Sequence, residues 1–288
     1  MGVDRVVRTR ATFGKRLLFA TVANYVESEE TEMTNISVQS DPPLSPGQTL
    51  PTMYDLPSEN PEEPGLPDDF HYLQAVLLRL TFQPLNWYPD LVFSGCDLNL
   101  YYYGKNPNWY KRPDWFGVVG VPPLYEGRDL RLSYVVWQEE AAPLVIVELL
   151  SPNTEDEDLG KKVRELGKPP TKWEVYERIL RVPYYVVFSR YTNEMQAFCL
   201  AGDRYQPAEL RNGRLLIPSI ELSLGLWQGS YSNIDRIWLR WMTLDGNLIL
   251  TPEEEAAAAK QEVTEAKEEN DRLKARLREL GIDPDELS

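Results

Sequence analysis

A chain of 288 residues with 42% apolar and 11% aromatic residues, 8 Trp and 16 Tyr among them, can bury a sizeable core, which excludes a wholly disordered protein. A formal charge of −15 speaks against a broadly basic nucleic-acid surface, but residues 253–288 hold 12 acidic and 6 basic side chains, so −6 of the total lies in the tail. Part of the remaining −9 is what a metal-dependent site would need, since such a site gathers carboxylates that its cation neutralises.

At the start, Arg5, Arg8, Arg10, Lys15 and Arg16 precede the short apolar run from Leu17 to Val22, which imitates a targeting signal without a small-residue cleavage pattern behind it. Residues 1–32 therefore read as an upstream extension, with Met33 opening a new polar stretch. The segment 35–67 is rich in Pro, Ser, Glu and Gly and cannot offset its ordering entropy by burial, so it reads as a linker or draped arm. The expected organisation is extension and linker over 1–66, a folded domain over 67–250, and a terminal helix over 251–288. No run approaches the roughly 18 apolar residues that a membrane span needs, and a cytoplasmic protein is expected. Cys96 and Cys199 lie far apart in apolar strand-like runs and read as small buried thiols rather than a disulfide framework.

Asp68 and Asp69 stand ahead of Phe70, Leu73, Val76, Leu77 and Leu80, an apolar set at helical spacing with acidic residues where a helix N-terminus prefers them; this is the first predicted helix. Strands are expected around Leu91 to Phe93 and, from the alternation of Cys96, Leu98 and Leu100 with Asp97 and Asn99, around Cys96 to Tyr102. Trp115 to Val121, Tyr134 to Trp137 and Leu144 to Leu150, rich in Val, Ile and aromatic residues and bounded by Pro or Gly, are expected to form the core sheet. Lys172 to Leu180 has helical spacing and Tyr184 to Ser189 is strand-like, so helices interleave with strands as in an α/β or α+β sheet. Beyond Met195, hairpin signals at Gly202-Asp203, Asn212-Gly213 and Asp245-Gly246 punctuate a β-rich extension in which Trp227, Trp238 and Trp241 read as packing rather than as a base-stacking platform.

The tail carries the cleanest periodicity. Ala256, Ala259, Val263, Ala266, Asn270, Leu273, Leu277 and Leu280 follow one another at alternating steps of three and four, an a/d coiled-coil seam. With Val263 at a, Glu262 and Glu269 fall at g and Lys267 and Lys274 at e, and Asn270 at an a position favours a parallel pair. A homodimer is expected; the alternative is a solitary charged helix.

For chemistry, Glu148 is the conspicuous residue, a carboxylate inside the apolar run Val145-Ile146-Val147 and Leu149-Leu150. Burying it unpaired is costly, so it must meet a metal, a proton or a cation such as an arginine. Asp114, after Pro113, opens another strand. His71 is the only histidine, which excludes two-histidine mechanisms; it reads as a helix-surface or partly buried residue. Asp97 is open as a further acidic ligand or as a turn carboxylate. A P-loop and Gly-x-Ser-x-Gly are absent, and two distant cysteines cannot supply a zinc site.

The succession Pro113-Asp114, Val147-Glu148-Leu149-Leu150-Ser151-Pro152 with Thr154, Asp158, and the helix and strand from Lys172 to Tyr185 resembles the Uma-type restriction endonuclease family of the PD-(D/E)XK nuclease superfamily. The resemblance covers roughly residues 68 to 250 and is most specific around Glu148. It implies a restriction-endonuclease-like mixed sheet flanked by helices, here followed by the coiled-coil helix. It further implies Mg²⁺, or Mn²⁺, on Asp114, Glu148 and Leu149, the last able to offer only its main-chain carbonyl, with a catalytic lysine and DNA as substrate. The superfamily's usual lysine position is Leu150 here, and Leu144 stands where many relatives have an aspartate. Lys162 has the expected spacing from Asp158 and Lys172 the expected spacing to Tyr176; an insertion between them keeps both from fitting, and Lys172 is preferred because it lies on the predicted helix. The expected activity is Mg²⁺-dependent DNA endonuclease. The alternatives are a catalytically inactive nuclease-fold assembly protein dimerising through its tail, and a hydrolase using Asp114 and Glu148 as an acid/base pair.

Overall fold

The computed structural model describes residues 68–106, 108–151, 155–164 and 167–280. The expected extension and linker over 1–66, and Pro152 and Thr154 of the motif after Glu148, lie outside the described residues. Helix α1 spans Asp69–Thr81, with Asp68 as N-cap accepting from the His71 amide. Its deeply buried face is Phe70, His71, Gln74, Ala75, Leu77 and Leu78, whereas Leu73, Val76 and Leu80 of the predicted stripe are only half-buried. The face is rotated because Gln74 is satisfied far along the chain: its Nε2 donates to Leu239 O at 2.7 Å and its Oε1 accepts from Leu239 N at 2.9 Å. A polar residue so satisfied can be buried without penalty.

The central sheet has six strands in the order β1-β4-β6-β7-β8-β9. These are β1 Val92–Cys96, β4 Trp115–Val119, β6 Val145–Leu149, β7 Tyr184–Ser189, β8 Glu194–Ala201 and β9 Arg204–Pro207. All pairs are antiparallel except β6 with β7, so the sheet is mixed, and the long β6–β7 crossover carries the short helices α3 Glu155–Asp158 and α4 Lys172–Glu174. Strand alternation sorts the side chains. Trp115, Val145, Val147, Leu149, Val186 and Phe188 pack on the α1 face, while Phe116, Val118, Ile146, Tyr185 and Val187 face the other way. On β6, Glu148 belongs with Ile146, on the side where α4 and its extension supply Val175 and Tyr176.

A second sheet, β10 Arg214–Ile217, β11 Leu222–Tyr231 and β12 Ile234–Thr243, is an antiparallel meander that covers α1 with Trp238 and Trp241. Both tryptophans are buried and Trp227 lies half-buried under the Arg240 guanidinium, so this aromatic set packs as expected. A small third sheet joins β2 Leu100–Tyr101, β3 Tyr110–Lys111 and β5 Tyr134–Val135.

Two strand expectations fail locally. Asp97 takes a left-handed φ of 47°, which ends β1, so the alternation from Cys96 to Tyr102 yields just the two-residue β2. Tyr134 to Trp137 joins the small sheet instead of the core and turns at once into helix α2, Val136–Glu139, closed by the left-handed Glu140. Lys172 to Leu180 is helical, but after α4 it widens into a π-turn over Val175–Ile179. Cys96 and Cys199 are free and half-buried, and burial pushes the Cys96 thiol up to about 11.

Helix α5, Pro252–Glu279, begins with a capping box in which Thr251 and Glu254 bond each other's main-chain amides. None of its residues is buried, and Val263, Leu273 and Leu280 of the seam are exposed. Among the described residues no helix is long and apolar enough to cross a membrane. The helix is tied to the body through Glu254, which pairs with the fully buried Arg240. Arg240 Nη1 donates to Glu254 Oε1 at 2.9 Å and Nη2 donates to Ile249 O at 3.0 Å. Removing one partner of such a pair strands a buried charge, and with Glu254 at the rim the lower end of the usual cost applies. Glu254→Ala is therefore expected to destabilise the fold by about 3 kcal/mol, against about 1 kcal/mol for Thr251→Ala. Urea denaturation checks this, and equal costs for the two variants would refute the tether.

Candidate active site

The β4–β6 register fixes which side chains meet. Trp115 stands opposite Val147 and Phe116 opposite Ile146, so one step beyond the ladder Asp114 lies across from Glu148 on the same face of the sheet. The two residues are cross-linked: the Asp114 amide donates to Glu148 Oε2 at 3.4 Å, and the Leu149 amide donates to Asp114 Oδ2 at 2.6 Å. Asp114 is half-buried and Glu148 fully buried.

From the crossover, Lys172 Nζ reaches Glu148 Oε2 at 3.0 Å and Asp158 Oδ1 at 2.8 Å. Its place is set by the capping box of Thr171 with Glu174, which starts α4, and by a bond from the Lys172 amide to Glu157 Oε1 at 3.1 Å. The π-turn that follows turns Tyr176 inward, and its hydroxyl donates to Glu148 Oε1 at 2.9 Å. Widened turns of this kind recur at functional sites. Tyr185 OH donates to Asp158 O at 2.8 Å and holds α3 against β7.

Two carboxylates, Glu148 and Asp158, thus hold one ammonium, and Asp114 adjoins Glu148. Burial raises the pKa of Glu148 well above its ordinary value; Lys172 opposes that rise, while Asp158 and Asp114 add to it. Burial likewise raises Asp114, against the pull of Lys172 and His71. For Lys172, burial disfavours the charged form, but the surrounding carboxylates outweigh it and keep the amine an ammonium. Asp158 Oδ2 is buried with no hydrogen-bond partner. Among the described residues no group of three or more His, Cys, Asp or Glu side chains is arranged to hold a metal ion. Asp114 and Glu148 are a pair, however, and a hard cation such as Mg²⁺ commonly takes one or two carboxylates, completing its shell with waters and phosphate oxygens. The all-oxygen donors and the orphaned oxygen suit such an ion.

The other candidates fall elsewhere. Lys162 is 59% exposed and bonds Glu157 Oε2 at 3.3 Å, whereas Lys172 is 17% exposed and sits inside the cluster. Asp97 is a turn residue that pairs with Arg112 Nη2 at 2.7 Å. His71 lies buried under the site: its Nε2 donates to Leu149 O at 3.0 Å and its Nδ1 faces Asp68 Oδ1 at 2.8 Å. Burial opposes its charged form, but bonding to Asp68 and the field of Asp114 raise its pKa, so the ring can donate from both nitrogens. The carbonyl expected from Leu149 is therefore held by His71, and a second lone pair remains to it. Asp158 and Tyr176 were visible in the sequence only as spacing markers for the lysine, and their contact with Lys172 and Glu148 is the geometry that sequence spacing hides.

Residues 49–235 match the model of the Uma2 family, described as a putative restriction endonuclease. The chain belongs to the Uma2 family. No curated protein matches it. Membership accords with the mixed sheet and flanking helices and places the Uma2 chain among restriction-endonuclease-like proteins.

Glu157 braces this Uma2 site from outside, accepting at Oε1 from both Lys111 Nζ, at 3.0 Å, and the Lys172 amide. Burial alone would raise its pKa, but Lys111 leads the groups that bring it from 4.5 down to about 2. A carboxylate depressed in the fold stabilises it above the unfolded pKa and loses that contribution as pH falls through the folded value. Stability should accordingly drop between pH 4.5 and about 2, and Glu157→Gln should flatten that part of the profile. Urea midpoints measured across this range check it; an unchanged acid limb in the variant would count against the brace.

Proposed function

We propose that this chain is a metal-dependent endonuclease that hydrolyses DNA phosphodiester bonds, with Asp114, Glu148 and the Leu149 carbonyl holding Mg²⁺ or Mn²⁺ and Lys172 beside the attacking water. The observation that carries the reading is the meeting of Asp114 with Glu148, whose carboxylate also pairs with the Lys172 ammonium, in a chain whose family is restriction-endonuclease-like. When bound, the cation supplies polarisation of the phosphoryl oxygens and a lowered pKa for a coordinated water.

The protein's own groups do the rest. Lys172, held by Glu148 and Asp158, orients the water and stabilises negative charge that builds on the phosphoryl oxygens. Tyr176, bonded to Glu148 Oε1, and the Asp114 amide, on Oε2, fix the Glu148 carboxylate. His71, held by Asp68, fixes the Leu149 carbonyl. Water oxygen bonds to phosphorus and gives up a proton to solvent, the bond from phosphorus to the leaving oxygen breaks, and the leaving oxygen takes a proton from solvent, giving a phosphate monoester and a free hydroxyl. Purified protein should nick plasmid DNA with Mg²⁺ or Mn²⁺ and stop on chelation. Glu148→Gln and Lys172→Met should each lower the rate by about 100-fold or more. Cutting by Glu148→Gln at the parent rate would end this reading.

The exposed seam of α5 supports a homodimer, a parallel pair through Val263, Asn270, Leu273 and Leu277, which would present two sites to one substrate. Sedimentation should give a dimer for the parent chain and a monomer for Leu273→Asp with Leu277→Asp. A monomeric parent at micromolar concentration would refute the pairing.

A further inference from the structure

Beside the carboxylate cluster lies a cavity of about 330 Å³ lined by Lys111, Lys162, Arg164, Lys168 and Thr171, with Glu157 in its wall. Among the described residues, four cations against one carboxylate is a local reversal of sign in a chain of net charge −15. Glu155 and Asp156 are paired with Lys161 outside the lining, Asp158 is paired with Lys172, and Glu165 lies outside the described residues. The cavity adjoins the site directly: Glu157 accepts from Lys111, from Lys162 and from the amide of Lys172.

The small sheet brings aromatic rings to the same edge. Register puts Tyr101 opposite Tyr110 and Leu100 opposite Lys111, so the residue after Tyr110 is the one that enters the cavity. Tyr103 stacks on Trp109 with centroids 6.1 Å apart at 25°, and the Arg164 guanidinium lies 5.9 Å above the Trp109 ring. Trp137 stands edge-on to Tyr101 at 6.5 Å. Tyr103, Tyr110 and Trp137 are exposed, although burying aromatic area is among the larger gains open to a fold. Cations beside open ring faces form a surface suited to a backbone that carries phosphates and to bases whose faces are free. A paired duplex keeps those faces stacked, so the complementary ligand is an unpaired strand.

We infer that this cavity and the rings of β2, β3 and the adjoining turns bind unpaired DNA: Lys162, Arg164 and Lys168 hold phosphates next to the scissile one, and Tyr103 and Tyr110 stack on its bases. The inference rests on the nuclease reading and narrows its substrate to DNA with single-stranded character.

Binding without a divalent cation reads the surface apart from the chemistry. Fluorescence anisotropy of the full chain with a labelled single-stranded oligonucleotide, and with the same sequence as duplex, should show tighter binding of the single strand. Lys162→Ala with Lys168→Ala should lower the salt slope by about 1.4, since each single-strand phosphate left without its lysine takes away about 0.7. Tyr103→Ala and Tyr110→Ala should each weaken single-strand binding about tenfold, within the range for removal of one stacked base. Tyr103→Phe and Tyr110→Phe, which keep the ring, should bind like the parent. Preference for duplex, an unchanged salt slope, or equal weakening in the Phe and Ala variants would overturn the inference. Binding as expected without any nicking would instead fault the nuclease reading alone.

Discussion

The contact on which the structure depends is the Lys172 ammonium lodged between buried Glu148 and Asp158. Bringing those two carboxylates out of water is expensive and their mutual repulsion adds to the cost, and the ammonium offsets both. The ammonium joins the middle strand of the sheet to the crossover that follows it, so the long excursion between β6 and β7 must return to one point. Raised carboxyl pKa values beside a paired lysine are found at functional sites more often than elsewhere.

The surroundings serve the same end by holding oxygens in place. Tyr176 and the Asp114 amide fix Glu148, the Leu149 amide fixes Asp114, and His71 fixes the Leu149 carbonyl. His71 in turn is held by Asp68, whose other oxygen meets Arg190 at 2.9 Å. Helix α1, which packs most of its length on the apolar face, thereby reaches around the sheet's end to the site. Preorganisation of this kind is what electrostatic catalysis needs, since dipoles already in position cost no reorganisation when charge develops.

Much of this was legible in the sequence where period alone decides. The apolar runs at β4, β6 and β7 marked their strands, and a carboxylate at the even position of β6 singled out Glu148 as a residue requiring a partner. The helix of α5 was equally plain, because its residues form one unbroken helical run behind a capping box. Legibility failed where long-range contacts decide. His71 and Gln74 look like surface residues until Leu149 and Leu239 supply their partners from distant strands. Cys96 to Tyr102 alternates like a strand, but Asp97 enters the left-handed region and pairs with Arg112, so the run breaks there and only Leu100–Tyr101 pairs, in the small sheet. Lys162 and Lys172 had comparable claims on paper because spacing carries no direction; only the capping box at Thr171 turns one of them inward.

That ambiguity has a structural origin. The stretch between Lys162 and Lys172 is the insertion that spoils the spacing, and with Lys162 it contributes Arg164 and Lys168 to the cavity beside the site. One segment separates its charges: the lysine at its end pairs with carboxylates inside, and the cations along it line the cavity outside. The overall charge of −15 is then a poor guide to the local field at this edge, which is set by the charges within a Debye length of about 10 Å. The acidic residues of α5 lie along a separate helix. An acidic protein can in this way keep a basic approach to an acidic centre, provided the two are divided by a carboxylate such as Glu157 that belongs to both networks.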